Sequence, residues 1–287
     1  MTLTSTRSLV DAATDDTSAV LAFNVITLEH AEAIVTGAER AGSPVLLQVS
    51  ENAVLFHGGR LEPLLAACRE VALGSPVPVA LHLDHFQDAS LIRQAVDAAP
   101  GLGVSSIMID AAHLPFAENE SLTAELTRLA HAAGLWVEAE LGEVGGKDGA
   151  HAPGVRTDPA DAATFAARTG VNGLAVAVGS SHAMTTRDAL IDLELVGRLA
   201  AAVPVPLVLH GSSGVSDALI RAAIARGIRK VNIGTALNIA FTGEVRSYLA
   251  AHESTTDPRS YLREARAATS DRVTALCSVL DPAIAHQ

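Results

Sequence analysis

The chain has 287 residues, 49% of them hydrophobic, enough for a sizeable buried core and for a single α/β barrel, which typically takes about 250 residues. Its formal net charge of -12 and pI near 5.3 argue against nucleic acid or an anionic membrane surface as partners, yet leave room for a phosphorylated small molecule held by a few local cations or helix N-termini. Cys68 and Cys277 sit in apolar helical patterns and form no disulfide framework, no apolar run approaches the roughly 20 residues of a membrane span, and no signal peptide is visible, so a cytoplasmic address is expected.

In chain order, the first short apolar run covers 19–24 and ends in Asn24, and a helical window follows at 28–41. The second, 45–49, contains Gln48 and leads to Ser50, ahead of a window at 61–73. The third, 77–83, runs into Asp84-His85 before a window at 89–98. The fourth, 105–109, ends at Asp110, with a window at 122–133 behind it. The fifth, 136–141, carries Glu138 and Glu140; a glycine-rich stretch with Lys147 and Asp148 separates it from a window at 159–168, which Asp158 caps and Pro159 opens. The sixth, 174–178, leads to Ser180, Ser181 and His182. The seventh, 206–209, ends in His210 and Gly211-Ser212-Ser213-Gly214, then a window at 218–226 that stops at Gly227. The eighth, 228–233, includes Lys230 and Asn232 and runs into Gly234-Thr235, and a last long helix is expected over 258–280.

These runs are too short for good helices and nearly continuous in hydrophobicity, the signature of strands buried on both faces. Eight strand–helix units in one domain spanning 1–287 predict an α/β (β/α)8 TIM barrel with an additional C-terminal helix, which either covers the barrel or packs against another subunit. A doubly wound open sheet is the structural alternative, but no Gly-x-Gly-x-x-Gly follows an early strand.

Strand C-termini of a barrel face its active site, and barrel stability gives no reason to put so many titratable groups at one rim. His85, His182 and His210 end separate strands, and three imidazoles with one open position make a catalytic zinc arrangement. Any one of them alone is more often a loop or core residue; three at one rim are what support the metal reading. His82 reads as a core histidine, with a place behind the site as the alternative, and the remaining histidines as helix, loop or tail residues. The glycine-rich loops after strands seven and eight fall where barrels commonly bind phosphate, though each alone is an ordinary tight turn. A Schiff-base mechanism would need a lysine inside the barrel, and the chain has only Lys147 and Lys230.

The motifs Ala22-Phe23-Asn24-Val25, Leu81-His82-Leu83-Asp84-His85, Ser106-Ile107-Met108-Ile109-Asp110, Val137-Glu138-Ala139-Glu140-Leu141-Gly142, Gly179-Ser180-Ser181-His182, His210-Gly211-Ser212-Ser213-Gly214 and Lys230-Val231-Asn232-Ile233-Gly234-Thr235, in this order, resemble the class II fructose-bisphosphate aldolase family over nearly the whole chain. The resemblance implies one zinc ion on His85, His182 and His210, with Glu140 as a further ligand or supporting carboxylate. It makes Asp84 the acid/base at the substrate C4 hydroxyl. Asn24, Ser50, Gly211, Ser213, Asn232 and Thr235 would bind substrate and its phosphate, and Arg259, in Asp257-Pro258-Arg259, a distal phosphate across a subunit boundary. A homodimer or homotetramer is implied in the same way, and a monovalent cation is a further cofactor in the family.

Three departures stand out. Asp148 occupies the place of a loop glutamate that moves a proton, Ala183-Met184 follow His182 where glycine is usual, and Ser212 replaces a glycine. The expected activity is metal-dependent, reversible cleavage of a ketose 1,6-bisphosphate, fructose 1,6-bisphosphate first, to dihydroxyacetone phosphate and glyceraldehyde 3-phosphate. Alternatives are a tagatose-bisphosphate or other phospho-ketose aldolase, another zinc-barrel enzyme such as a hydrolase, and a non-catalytic barrel subunit that stabilises an aldolase partner.

Overall fold

A computed structural model describes residues 3–13, 18–141, 156–180 and 186–279. In chain order the elements are α1 (Thr6–Ala12), β1 (Val20–Asn24), α2 (Leu28–Ala41), β2 (Val45–Ser50), α3 (Glu51–Phe56), α4 (Glu62–Gly74), β3 (Val79–Phe86), α5 (Ala89–Leu102), β4 (Val104–Ile109), α6 (Phe116–Ala132), β5 (Trp136–Glu140), α7 (Pro159–Thr169), β6 (Gly173–Ala175), α8 (Leu193–Ala202), β7 (Leu207–Leu209), α9 (Asp217–Ala225), β8 (Ile228–Ile233), α10 (Thr235–Ala251) and α11 (Pro258–Cys277). The strands pair in sequence order, all parallel, and β8 closes onto β1 with Val20 opposite Lys230. This is the expected (β/α)8 barrel with its extra C-terminal helix.

Strand side chains alternate between two apolar environments. Leu21, Phe23, Leu47, Val49, Leu81, Leu83, Val137, Ala139 and Val231 pack outward under the helices. Val20, Ala22, Leu46, Ala80, Met108, Trp136, Ala175 and Val208 fill the interior. Two-sided burial is why the runs read as unbroken hydrophobicity. By the same parity Asn24, Gln48, Asp84, Glu138, Glu140 and His210 also point inward, each lying an even number of residues beyond an interior apolar one, and Asn232 follows the inward Lys230 by two. The large indole of Trp136 fits only because its neighbour is Gly173, where an added Cβ would lie 2.4 Å from the ring.

The helices start and stop where their termini find partners. Asp88 accepts from Leu91 N at the start of α5, and Asp158 accepts from Ala160 N and Asp161 N with Pro159 in the first turn of α7. Gly42, Gly103 and Gly170 end α2, α5 and α7 in the left-handed conformation.

Several elements differ from the sequence expectation. β3 continues through Asp84-His85 to Phe86, β6 spans 173–175 rather than 174–178, α6 begins at Phe116, and α11 ends at Cys277. Helices α8 and α10 are those of the sixth and eighth expected strand–helix units, and α1 and α3 are additional to the eight. Helix α1 plugs the N-terminal mouth of the barrel: Leu9 and Val10 join the interior cluster, and Thr6 bonds through Oγ1 to Ser106 Oγ (2.5 Å) and through its N–H to Ser105 Oγ (3.0 Å). The C-terminal helix α11 packs on its own barrel, against α2 and α10. It approaches so closely at Gly37 that an added Cβ would sit 2.6 Å from the Ser270 carbonyl oxygen, and Arg40–Asp271 and Arg266–Glu32 ion pairs flank the contact.

Candidate active site at the strand C-termini

Asp84 and His85 are adjacent in sequence, so a regular strand would send them to opposite faces. The structure brings both inward with a bulge. Leu83 pairs with Ile107 and Phe86 with Ile109, so three steps on β3 match two on β4. The extra residue is His85, whose φ of 49° makes it the one non-glycine residue at positive φ among those described. A side chain pays strain there. The return is that Phe86 resumes its outward place in the helix-facing core while Asp84 and His85 share the site.

Both Asp84 carboxylate oxygens accept amide hydrogen bonds: Oδ2 from Asn24 Nδ2 at 2.8 Å, and Oδ1 from Asn232 Nδ2 at 3.4 Å. The Asn24 amide is itself oriented, because its Oδ1 accepts from Gln48 Nε2 at 2.8 Å. His85 donates from Nδ1 to Asp110 Oδ2 at 2.9 Å, and Asp110 also receives Gln87 Nε2 and the Ala112 N–H. Burial resists charge on His85, but Asp84, Asp110 and Glu140 outweigh it and push its pKa up to about 10. Burial resists ionisation of Asp110 as well; the His85 hydrogen bond and charge prevail and hold it far below the usual carboxylate range.

His85, Glu140 and His210 each offer one ligand atom, and these atoms lie within 4.8 Å of one another. Nitrogen and carboxylate donors at that spacing suit a borderline divalent cation such as zinc. Each ring also meets a carboxylate outside the cluster: Asp110 Oδ2 at His85 Nδ1, and Glu138 Oε1 2.8 Å from His210 Nε2, the nitrogen opposite the one that faces Glu140. That outer support is typical of metal-binding imidazoles. Sequence reading placed Asp110 and Glu138 at strand ends without a role; the i, i+2 pair Glu138/Glu140 was the available signal, since both had to face the interior.

Asn24, Ser50, Asp84, His85, Gly211, Ser213, Asn232 and Thr235 line one cavity of about 230 Å³, together with Ile26, Gln48, Gly234 and Asn238. The sequence marks Gln48 only as a strand end, and no pattern in it marks Ile26 or Asn238. A larger depression of about 620 Å³ lies outside the barrel between α2, α4 and α11; its lining of ordinary surface residues offers no comparable convergence of catalytic groups. Around the cavity, Gly211 turns the chain at φ 64°, and Ser213 Oγ accepts the Ala236 N–H at the start of α10. Ser212, the departure from glycine, is buried and donates its hydroxyl to the Asn232 carbonyl, tying the loop after β7 to β8. Ser180 Oγ donates to the His210 carbonyl at 2.6 Å.

Other candidates fall elsewhere. His82 is a core histidine: Nδ1 contacts Ser106 Oγ at 2.8 Å, and burial, reinforced by the Lys230 ammonium, pushes its pKa well below the ordinary value. Lys230 does face inward, but its Nζ donates to Glu138 and Asn232, so it is no free amine for a Schiff base. Arg259 lies outside this cavity; its side chain is 85% exposed and doubly bonded to Asp257. His182, Asp148, Lys147, Ser181 and Ala183-Met184 lie outside the described residues.

Comparison with known proteins gives a consistent result. Residues 4–283 match the family model described as fructose-bisphosphate aldolase class-II. The YdjI aldolase from Escherichia coli K12 is 34% identical, with a TM-score of 0.81 over 96% of each chain. A candidate fructose-1,6-biphosphate aldolase from Coccidioides immitis is 31% identical, with a TM-score of 0.83 over 96% of each chain. The fructose-bisphosphate aldolase Fba from Campylobacter jejuni, 24% identical, shares the fold with a TM-score of 0.80 over 96% of this chain and 93% of its own.

Proposed function

The chain belongs to the class-II fructose-bisphosphate aldolase family, and we propose that it is a metal-dependent lyase that reversibly cleaves a ketose 1,6-bisphosphate, fructose 1,6-bisphosphate first, between C3 and C4. The observation that carries this reading is the His85–Glu140–His210 cluster beside an Asp84 held by two amides on the barrel rim. His182, from the sequence motif, completes the proposed ligand set. A divalent cation bound there supplies Lewis acidity toward the substrate's C2 carbonyl oxygen.

The protein's own groups do the rest. Asp84 accepts the C4 hydroxyl proton as the C3–C4 bond breaks; the aldehyde leaves and the bonding pair remains on C3 of the dihydroxyacetone phosphate half. A proton is then returned to C3, a role we assign to Asp148 in place of the family's loop glutamate. The two amides on Asp84 hold its carboxylate in one orientation, so little reorganisation accompanies proton transfer. The phosphate of the ketone half would sit at the loops after β7 and β8, where Gly211, Ser213 and Thr235 present small side chains and backbone N–H groups.

The decisive experiment is a coupled retro-aldol assay with fructose and tagatose 1,6-bisphosphates in parallel, before and after chelation and zinc add-back. Release of dihydroxyacetone phosphate that is lost on chelation and restored by zinc is expected. Silence with both sugars from a zinc-loaded protein would leave another phospho-ketose or a non-catalytic partner role, and metal-dependent hydrolysis without aldol products would move the protein to another chemistry.

Because Arg259 stands outside the cavity of its own chain, its proposed role on a distal phosphate belongs to a second copy in a homodimer or homotetramer. Arg259→Ala should then raise KM for a bisphosphate about tenfold or more, the loss of a charge-assisted bidentate contact, and barely change KM for a monophosphate. Equal effects on both substrates, or a monomer by sedimentation at assay concentrations, would remove Arg259 from the site.

A further inference from the structure

Lys230 enters the barrel interior from β8 and is fully buried. Its Nζ lies 2.8 Å from Glu138 Oε2 and 2.7 Å from Asn232 Oδ1. An ammonium only donates, so both partners must present lone pairs to it. That single constraint sets the direction of the hydrogen bonds deeper in the site.

Asn232, with Oδ1 on Lys230, turns Nδ2 toward Asp84 Oδ1 at 3.4 Å and His210 Nε2 at 3.0 Å. Glu138, with Oε2 on Lys230, leaves Oε1 for His210 Nε2 at 2.8 Å. His210 Nε2 thus meets a carboxylate oxygen and an amide nitrogen. The carboxylate oxygen, whose twin accepts from Lys230, is the acceptor of the two and takes the ring N–H. With its proton on Nε2, His210 keeps the lone pair on Nδ1, the nitrogen that faces Glu140 Oε2 at 4.0 Å.

We propose that Lys230 is a positioning residue: through Glu138 it sets the His210 tautomer that exposes Nδ1 as a metal ligand, and through Asn232 it aims an amide donor at Asp84. The proposal rests on the metal reading of the His85–Glu140–His210 cluster. The competing account is that Lys230–Glu138 is a structural ion pair, which well-matched neutral side chains can often replace without loss of the fold.

A charge-neutralising series separates the two. In Glu138→Gln the ammonium claims the new amide oxygen, so the amide NH₂ faces His210 Nε2, which must then accept. The ring proton moves to Nδ1 and competes with metal. In Glu138→Gln/Lys230→Met nothing holds that amide oxygen, so it can turn to Nε2 and restore the original tautomer.

Zinc affinity of the chelator-stripped proteins, by competition with a chromophoric chelator, should fall about 10–100-fold in Glu138→Gln and recover about tenfold in the double variant. Nitrogen-15 NMR of histidine-labelled, metal-free protein should show His210 protonated on Nε2 in wild type and the double variant, and on Nδ1 in Glu138→Gln. A double variant that binds zinc no better than folded Glu138→Gln overturns the proposal. So does a wild-type His210 protonated on Nδ1, a result available even if the single variant does not fold. Neither readout uses a sugar: a wild type that binds zinc tightly but is silent with both bisphosphates would sink the ketose-bisphosphate reading and leave this one standing.

Discussion

Asp84→Asn is expected to keep zinc and lose kcat by about 10²–10⁴-fold, the usual worth of a positioned general acid/base. The substitution keeps the shape of the side chain and one oxygen for the Asn24 and Asn232 amides, which now donate to both carboxylate oxygens. It removes the ability to accept the C4 hydroxyl proton at neutral pH. Since Asp84 lies outside the His85–Glu140–His210 ligand cluster, zinc content should stay near one ion per chain. The check is kcat for retro-aldol cleavage alongside metal analysis of the same preparation. Turnover within about threefold of wild type would take Asp84 out of the proton-transfer role.

The second large effect is loss of metal and turnover together in His85→Ala and His210→Ala. Residues that merely support a metal ligand cost about 10–100-fold in affinity, so removal of a ligand should cost at least the upper end of that range. The two variants differ in what else they disturb. His85 is partly exposed at the rim, so alanine there opens little buried space; it keeps the Cβ and with it the positive-φ strain, and leaves Asp110 without its imidazole. His210 is fully buried against Glu138, and its removal opens a cavity beside a buried carboxylate still paired with Lys230. Lower thermal stability of the metal-free protein is therefore expected for His210→Ala and less so for His85→Ala. Dialysed protein, zinc titration and melting curves test this together. Full zinc affinity in a folded His85→Ala would mean that His85 is not a ligand.

Much of this architecture was legible in the chain alone. Parallel strands buried on both faces must be apolar along their length, so runs such as 45–49 and 228–233 announce themselves, and polar residues that interrupt the pattern at its C-terminal end mark the rim. Asp84, His85, Glu140 and His210 stand out in this way; the structure places Asp84 and His85 on one cavity and His85, Glu140 and His210 in one ligand cluster. Helix α1 was missed because a short plug needs only Leu9 and Val10 to be apolar, too little for a periodic signal. Asp148 and His182 rest on motif order, since they lie outside the described residues.

Strand composition by itself therefore determined the barrel and the rim, because burial on two faces is a local demand that each segment must satisfy separately. Which groups touch was decided only by closure. The bulge that turns His85 inward breaks the period-two rule at one residue, and no pattern in the segment requires it. Lys230 meets Glu138 across 92 positions because β5 and β8 project side chains into the same interior. Arg259, whose motif suggested a phosphate ligand across a subunit boundary, is exposed on its own subunit beside Asp257. Hydrogen-bond direction, charge pairing and strain depend on distances between strands, and those distances exist only once the sheet has closed on itself.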